Sequence, residues 1–216
     1  MKLMPQILIA FLIFLSSISF SYSQNIEVFK FTNEELINLK VRKVRGAKNL
    51  TEYNILNEDG ANILKAVVEN GGSGLGKEAP VDLNQTPFLN ITWKVEKGLP
   101  GLDEKSKKGH DFAARFFVVK KTGMTPLSNK AINYVFSSNS SIGENWPSPY
   151  TKSSIDYVLS SIEKNKNEWV TVKTNVKEDY KRFHNLDVDI LDGVAIMVDT
   201  DQSKSQAISY YKNIYF

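Results

Sequence analysis

Phe88-Leu89-Asn90-Ile91-Thr92-Trp93-Lys94-Val95-Glu96 alternates with a period of two. Leu89, Ile91, Trp93 and Val95 point to one side, and Asn90, Thr92, Lys94 and Glu96 to the other, because successive strand residues face opposite ways. This is a strand with one face in a core and one in water. The same signature recurs outward from it. Segments 52–56 and 61–69 flank Asn57-Glu58-Asp59-Gly60, a hairpin turn in which Gly tolerates positive φ. Segments 26–31, 112–120, 131–137, 155–161, 169–176, 190–198 and 207–215 are aromatic or β-branched and separated by Gly-, Pro- and Asn-rich links. About ten such strands predict an all-β fold, a single-domain antiparallel β-sandwich of the jelly-roll kind spanning residues 24–216. At most two short helices are expected, at 33–39 and 177–184.

The first residues read as a signal peptide, 1–23. Met1-Lys2 is a positive start, 7–15 is an apolar run extended by Ile18 and Phe20, and Ser21-Tyr22-Ser23 supplies small residues before a cut at Gln24. The apolar run is interrupted by serines and shorter than the ~20 residues a membrane helix needs. The mature chain is therefore expected to be periplasmic or secreted, without a membrane span. Cys is absent, which excludes disulfides, thiol chemistry and lipid attachment at cysteine, so stability must come from packing. The formal charge of +3 loses one unit with Lys2. Such near balance gives no reason to expect a nucleic-acid partner, and the oligomeric state is not readable.

Three motifs invite specific chemistry. Gly71-Gly72-Ser73-Gly74-Leu75-Gly76-Lys77 matches most of a phosphate-binding loop, but Glu78 stands where Ser or Thr should bind magnesium, and Ala79-Pro80-Val81 opens no helix. It is read as a flexible glycine turn. Asp199-Thr200-Asp201-Gln202-Ser203 begins like a calcium loop, but Lys204 replaces the turn Gly and Tyr210 the bidentate Glu. An EF-hand is excluded. Asp199 and Asp201, spaced i and i+2, remain candidate metal ligands, with calcium as the ion; no other cofactor is expected. Of two histidines, His110 and His184, only His110 lies near the suspected site.

That site is centred on Arg115. In Asp111-Phe112-Ala113-Ala114-Arg115-Phe116-Phe117-Val118-Val119, one face is fully apolar and the other carries Asp111 and Arg115. A guanidinium among apolar neighbours needs a partner or a wet concave surface. Either Arg115 pairs with Asp111, or it faces a ligand. Asn133 lies opposite a core face in its strand, as do Trp169, Lys173 and Asn175 in theirs. If these strands are neighbours, their non-core faces pool Asp111, Arg115, Asn133, Trp169, Lys173 and Asn175. Trp146, between prolines and glycines in 143–150, lines a cleft mouth or plugs a core edge. Rings beside planar hydrogen-bonding groups suit sugars.

The blocks Gly72-Ser73-Gly74-Leu75, Thr86-Pro87, Trp93-Lys94-Val95, Gly109 to Arg115, Ile132 to Phe136, Trp146 with Pro149-Tyr150, Asn175-Val176, Glu178-Asp179-Tyr180, and Gly193 to Met197 with Asp199-Thr200-Asp201 occur in this order. Together with the ending 207–216, they resemble a bacterial exported family known as a domain of unknown function, number 3047. The likeness spans nearly the whole mature chain and departs from the family pattern at His110, Phe136 and Lys212-Asn213. It implies export and no assigned activity. The closing Ser209 to Ile214 block also resembles the last strand of galactose-binding-like jelly rolls.

The function expected is non-catalytic binding of a carbohydrate or similar polar polymer, with a glycan as partner. The alternatives are a polysaccharide hydrolase or lyase using Asp111 or Asp199 as acid or base, and a structural or assembly protein of the cell envelope. The leader makes the first testable claim. Intact-mass analysis of the exported protein should place its N-terminus within a few residues of Gln24; a mature protein retaining Met1 would refute the cleaved signal.

Overall fold

The computed structural model describes residues 25–125 and 128–216; the expected signal peptide lies outside them. In chain order the elements are β1 (Glu27–Phe29), α1 (Asn33–Asn38), β2 (Lys40–Lys43), β3 (Glu52–Glu58), β4 (Ala61–Glu69), β5 (Gly72–Asp82), β6 (Phe88–Lys97), β7 (Ala114–Lys120), β8 (Lys130–Ser137), β9 (Asn145–Ser148), β10 (Thr151–Ser161), α2 (Ile162–Asn165), β11 (Val170–Asn175), α3 (Val176–His184), β12 (Ile190–Asp199) and β13 (Gln206–Tyr215). They form two facing sheets. One is six-stranded, ordered β11-β6-β13-β4-β3 with β1 on β13; the other is seven-stranded, ordered β2-β5-β12-β7-β8-β10-β9. The fold is an all-β, jelly-roll-like sandwich, antiparallel except that β8 and β10 run parallel.

The alternation of 88–96 is realised in β6: Leu89, Ile91, Trp93 and Val95 are all buried. Opposite them lie Leu75 of β5, Phe116 and Val118 of β7, Tyr134 and Phe136 of β8, and Ile196 of β12, in one shared core. Trp93 fills its centre, edge-on to Phe136 at 5.7 Å, and its indole N–H donates to Ser160 Oγ at 2.9 Å, so the ring is buried with its polar atom satisfied. Tyr211 of β13 crosses the core, and its hydroxyl accepts from the backbone N–H of Arg115 at 3.0 Å. Helix α3 covers one end: Asn175 caps it by accepting from Glu178 N at 3.2 Å, as Asn does at helix starts. Buried Tyr180 of α3 donates to Val118 O at 2.9 Å.

The hairpin at 57–60 and the helices at 33–38 and 176–184 match the sequence reading. The glycine turn at 71–77 does not. It is the start of β5, an inner strand held between β2 and β12. Glycine carries no strand-forming side chain, and its value here is proximity: a Cβ on Gly72 would sit 2.6 Å from Asp199 Cβ. Pro80 is accommodated in the same strand because the β5–β12 register shifts between Leu191 and Gly193, opposite Val81 and Glu78; a bulge relieves the missing ladder donor. The charged edge strand β2, the short strand β9 and helix α2 were also unforeseen. Asp111 to Ala113 precede β7 rather than belonging to it.

Candidate functional site

Alternation on the seven-stranded sheet sends Leu75, Phe116, Val118, Val194 and Ile196 into the core and the intervening residues outward. Register then assembles the outer face. Gly76 pairs with Ala195 and Gly74 with Met197; Ala195 pairs with Phe117 and Met197 with Arg115; Lys40 and Arg42 pair with Gly76 and Gly74. Gly74, Gly76, Gly193 and Ala195 leave this face nearly bare of side chains. The result is a groove of about 520 Å³ floored by Gly74, Gly76, Gly193, Ala195, Phe117 and Met197. Asn38, Lys40, Arg42, Glu78, Asn129 and Asp192 also border it.

Arg115 lies beside that floor, sealed rather than open at 2 % exposure. Its partner is Asp199, whose Oδ2 lies against Nη2, and not Asp111. The contact is one of charge: neither Nη2 nor Nε of Arg115 has an aligned hydrogen-bond partner among the described residues. The guanidinium stands over the Phe112 ring at 5.0 Å and the Phe117 ring at 5.8 Å. Asp199 Oδ1 accepts from Phe112 N at 3.1 Å. Asp111 instead holds the loop between β12 and β13, accepting from Gln202 N at 3.1 Å and Ser203 N at 2.6 Å. Burial pushes the Asp199 carboxyl up to about 6; the Arg115 charge opposes the shift and the Asp111 charge adds to it.

Asn133 is also buried. Its Nδ2 donates to Asp156 Oδ1 at 2.5 Å, and Asp156 Oδ2 lies 2.7 Å from His110 Nε2. Trp146 packs with Phe112, Val135 and Val158 in a small second cluster, which is the plugging role. Asn133 Oδ1 and Trp146 Nε1 lack partners among the described residues. Buried polar atoms left this way call for water or a ligand.

Trp169, Lys173 and Asn175 do not join them. They belong at or beside β11, on the edge of the six-stranded sheet, so the pooled face expected from sequence is split between two sheets. Trp169 lies under the Lys212 ammonium at 4.1 Å and edge-on to Tyr210 at 6.3 Å. Lys173 stands over Phe88 at 4.4 Å, beside a second hollow of about 290 Å³. Asn175 is spent on the cap of α3. The groove residues themselves went unread in the sequence. The available signal was glycine at every second position, 72, 74 and 76, which places all three on one strand face.

Asp111, Asp199 and Asp201 bring carboxylate oxygens within 4.8 Å of one another. The donor set suits a hard cation, but Asp199 already faces Arg115 and Asp111 already accepts two loop amides. A cation here would share its ligands with internal partners.

The family described as "Protein of unknown function (DUF3047)" matches residues 38–215. No curated protein matches the sequence. Among solved structures, the chain is similar to the family 30 carbohydrate-binding module of the cellulosomal cellulase Cel9D-Cel44B of Clostridium thermocellum, with 10% identity and a TM-score of 0.50 over 89% of this chain and 96% of that one. A family 11 carbohydrate-binding module from Clostridium thermocellum, in complex with a β-1,3-1,4-mixed-linked tetrasaccharide, aligns at 12% identity and TM-score 0.44 over 88% and 94% of the two chains. A cellulase derived from Cel12A of Rhodothermus marinus aligns at 10% identity and TM-score 0.47 over 82% and 94%. At such identity the likeness is one of fold.

The Arg115–Asp199 pair makes a quantitative prediction. Arg115→Met strands a buried carboxylate and should cost about 3–5 kcal/mol near neutral pH. The folded value of Asp199 lies above the ordinary 3.8, so the proton favours the fold: this group's contribution is full below about pH 3.8 and declines as pH rises through about 6. Removing Arg115 raises the value further, so the deficit of Arg115→Met should be smaller at about pH 5 than at about pH 8. Denaturant unfolding reads both, and Asp199→Asn should rescue the variant. A loss below ~1 kcal/mol, or rescue by Asp111→Asn instead, would contradict the pairing.

Proposed function

The chain belongs to the DUF3047 family, and from that premise we propose that it is an exported, periplasmic or secreted, non-catalytic binding protein whose outer groove takes an extended carbohydrate or a similar polar polymer. The observation that carries this reading is the groove itself, about 520 Å³ and floored by backbone where side chains are missing. A flat sugar chain needs close approach along a strand-lined channel, an apolar surface for its C–H faces and a few polar groups for its hydroxyls. Gly74 and Gly76 permit the approach, Phe117 and Met197 supply the apolar surface, and Asn38 and Asn129 supply amides. One solved structure of similar fold is named a carbohydrate-binding module, which agrees with this use of the sandwich.

Binding is favoured over hydrolysis by the state of the acids. A catalytic pair flanks a scissile bond and is free to exchange protons with it. Asp111 and Asp199 are buried at 0% and 3% exposure, with their oxygens turned to loop amides, Phe112 N and Arg115. Among the described residues no helix is long and apolar enough to cross a membrane.

A glycan array with the purified protein tests the reading, and Ala195→Phe locates it. Ala195 faces the groove, so a ring there should weaken glycan binding tenfold or more while leaving the melting temperature within a few degrees. Retained glycan binding in Ala195→Phe would move the site elsewhere, and an array without hits would refute glycan binding. Calcium is tested on the same protein. If an ion joins Asp199 and Asp201, millimolar calcium should raise the melting temperature by mass action, and Asp201→Ala should abolish the rise. An unchanged curve would leave these acids to Arg115 and the loop.

A further inference from the structure

The charges around the groove are not balanced. Glu78 pairs with Lys121 at 2.9 Å, and its carboxyl is held below the ordinary range first by Lys121 and more weakly by Lys40. Asp192 pairs with Lys120 at 3.0 Å. Lys77 turns away to Glu35 at 2.6 Å. Lys40 and Arg42 remain: both are exposed, both border the groove, and neither enters an ion pair among the described residues. Their spacing of two puts both side chains on the groove face of β2, beside Gly76 and Gly74.

We propose that this groove selects an acidic polysaccharide, with Lys40 and Arg42 engaging the carboxylates of a polyuronate chain laid across the glycine floor. The inference rests on the glycan-binding reading and adds the ligand's charge. Arg and Lys recognise carboxylate through charge-assisted hydrogen bonds, Arg in a two-pronged fork. In a polyuronate the carboxylates recur along the chain, matching two cations along one strand. The competing account is that Lys and Arg on an edge strand merely block strand-to-strand association. It accounts for charge on β2 but requires no ligand and no effect on binding.

Titration calorimetry with polygalacturonate oligomers, a neutral mixed-linked glucan oligomer and a single-stranded oligodeoxynucleotide separates the outcomes. The protein should bind polygalacturonate more tightly than the glucan, and added salt should weaken only the former. The double variant Lys40→Ala/Arg42→Ala should lose tenfold or more for polygalacturonate and little for the glucan. Lys164→Ala/Lys166→Ala, which removes two lysines remote from the groove, should lose nothing. Arg42→Gln is a milder variant that should lose severalfold if the double variant fails to fold. Binding of the glucan but not of polygalacturonate, or polygalacturonate binding unchanged in the variants, would overturn this inference and leave the glycan reading standing. Binding of neither glycan would end both. Equal binding of the oligodeoxynucleotide with the same loss in the double variant would also overturn it, reducing Lys40 and Arg42 to a general polyanion patch.

Discussion

Burying Arg115 against Asp199 removes two charges from water, and the surrounding structure is arranged to offset that cost. Phe112 and Phe117 present ring faces to the guanidinium, Phe112 N donates to Asp199, and Tyr211 reaches across the core to the Arg115 backbone. A buried pair of this kind stabilises little against an apolar replacement but penalises its own disruption heavily. It fixes the end of β12 against the start of β7. Asp111, four residues before Arg115, then pins the loop between β12 and β13 by its amides. Asp199 can occupy its place because Gly72 opposite lacks the Cβ that would collide with it. The same alternation that spares Gly72 a side chain continues to Gly74 and Gly76, so one run of glycine both admits the ion pair and clears the floor of the groove.

Much of the sandwich was legible because its strands carry side-chain information. The segment 88–96 announces its inner face through Leu89, Ile91, Trp93 and Val95, all of which are buried. Arg115 was conspicuous for the complementary reason, a charge among apolar neighbours on the non-core face of its segment. Its partner was not legible. Asp111 is near in sequence, whereas Asp199 arrives through the pairing of β12 with β7, a long-range contact that no local pattern encodes. Strand adjacency is the same kind of information. Trp169, Lys173 and Asn175 were grouped with Arg115 on the condition that β11 neighbours β7 and β8, and the topology puts β11 beside β6 on the opposite sheet. The glycine strand β5 escaped because strand signals are read from side chains, and Gly72, Gly74 and Gly76 have none. Strand β2 escaped because four residues that are all exposed show no alternation.

The molecule thus has two outer faces of different character. On the six-stranded sheet, Lys65, Lys94 and Lys212 lie over Tyr210 and Trp169, so the aromatic surface is already covered by ammonium groups. On the seven-stranded sheet the floor is open, and among the described residues that border it Lys40 and Arg42 of β2 enter no ion pair. The distinction between them decides function, and backbone NMR of the protein with a bound glycan oligomer reads it directly. If the groove is the binding face, shifts concentrate on Gly74, Gly76, Phe117, Ala195 and Met197, with Lys40 and Arg42 at their edge. Shifts confined to Trp169, Lys173 and Tyr210 would place the ligand on the other sheet and contradict the groove as the site.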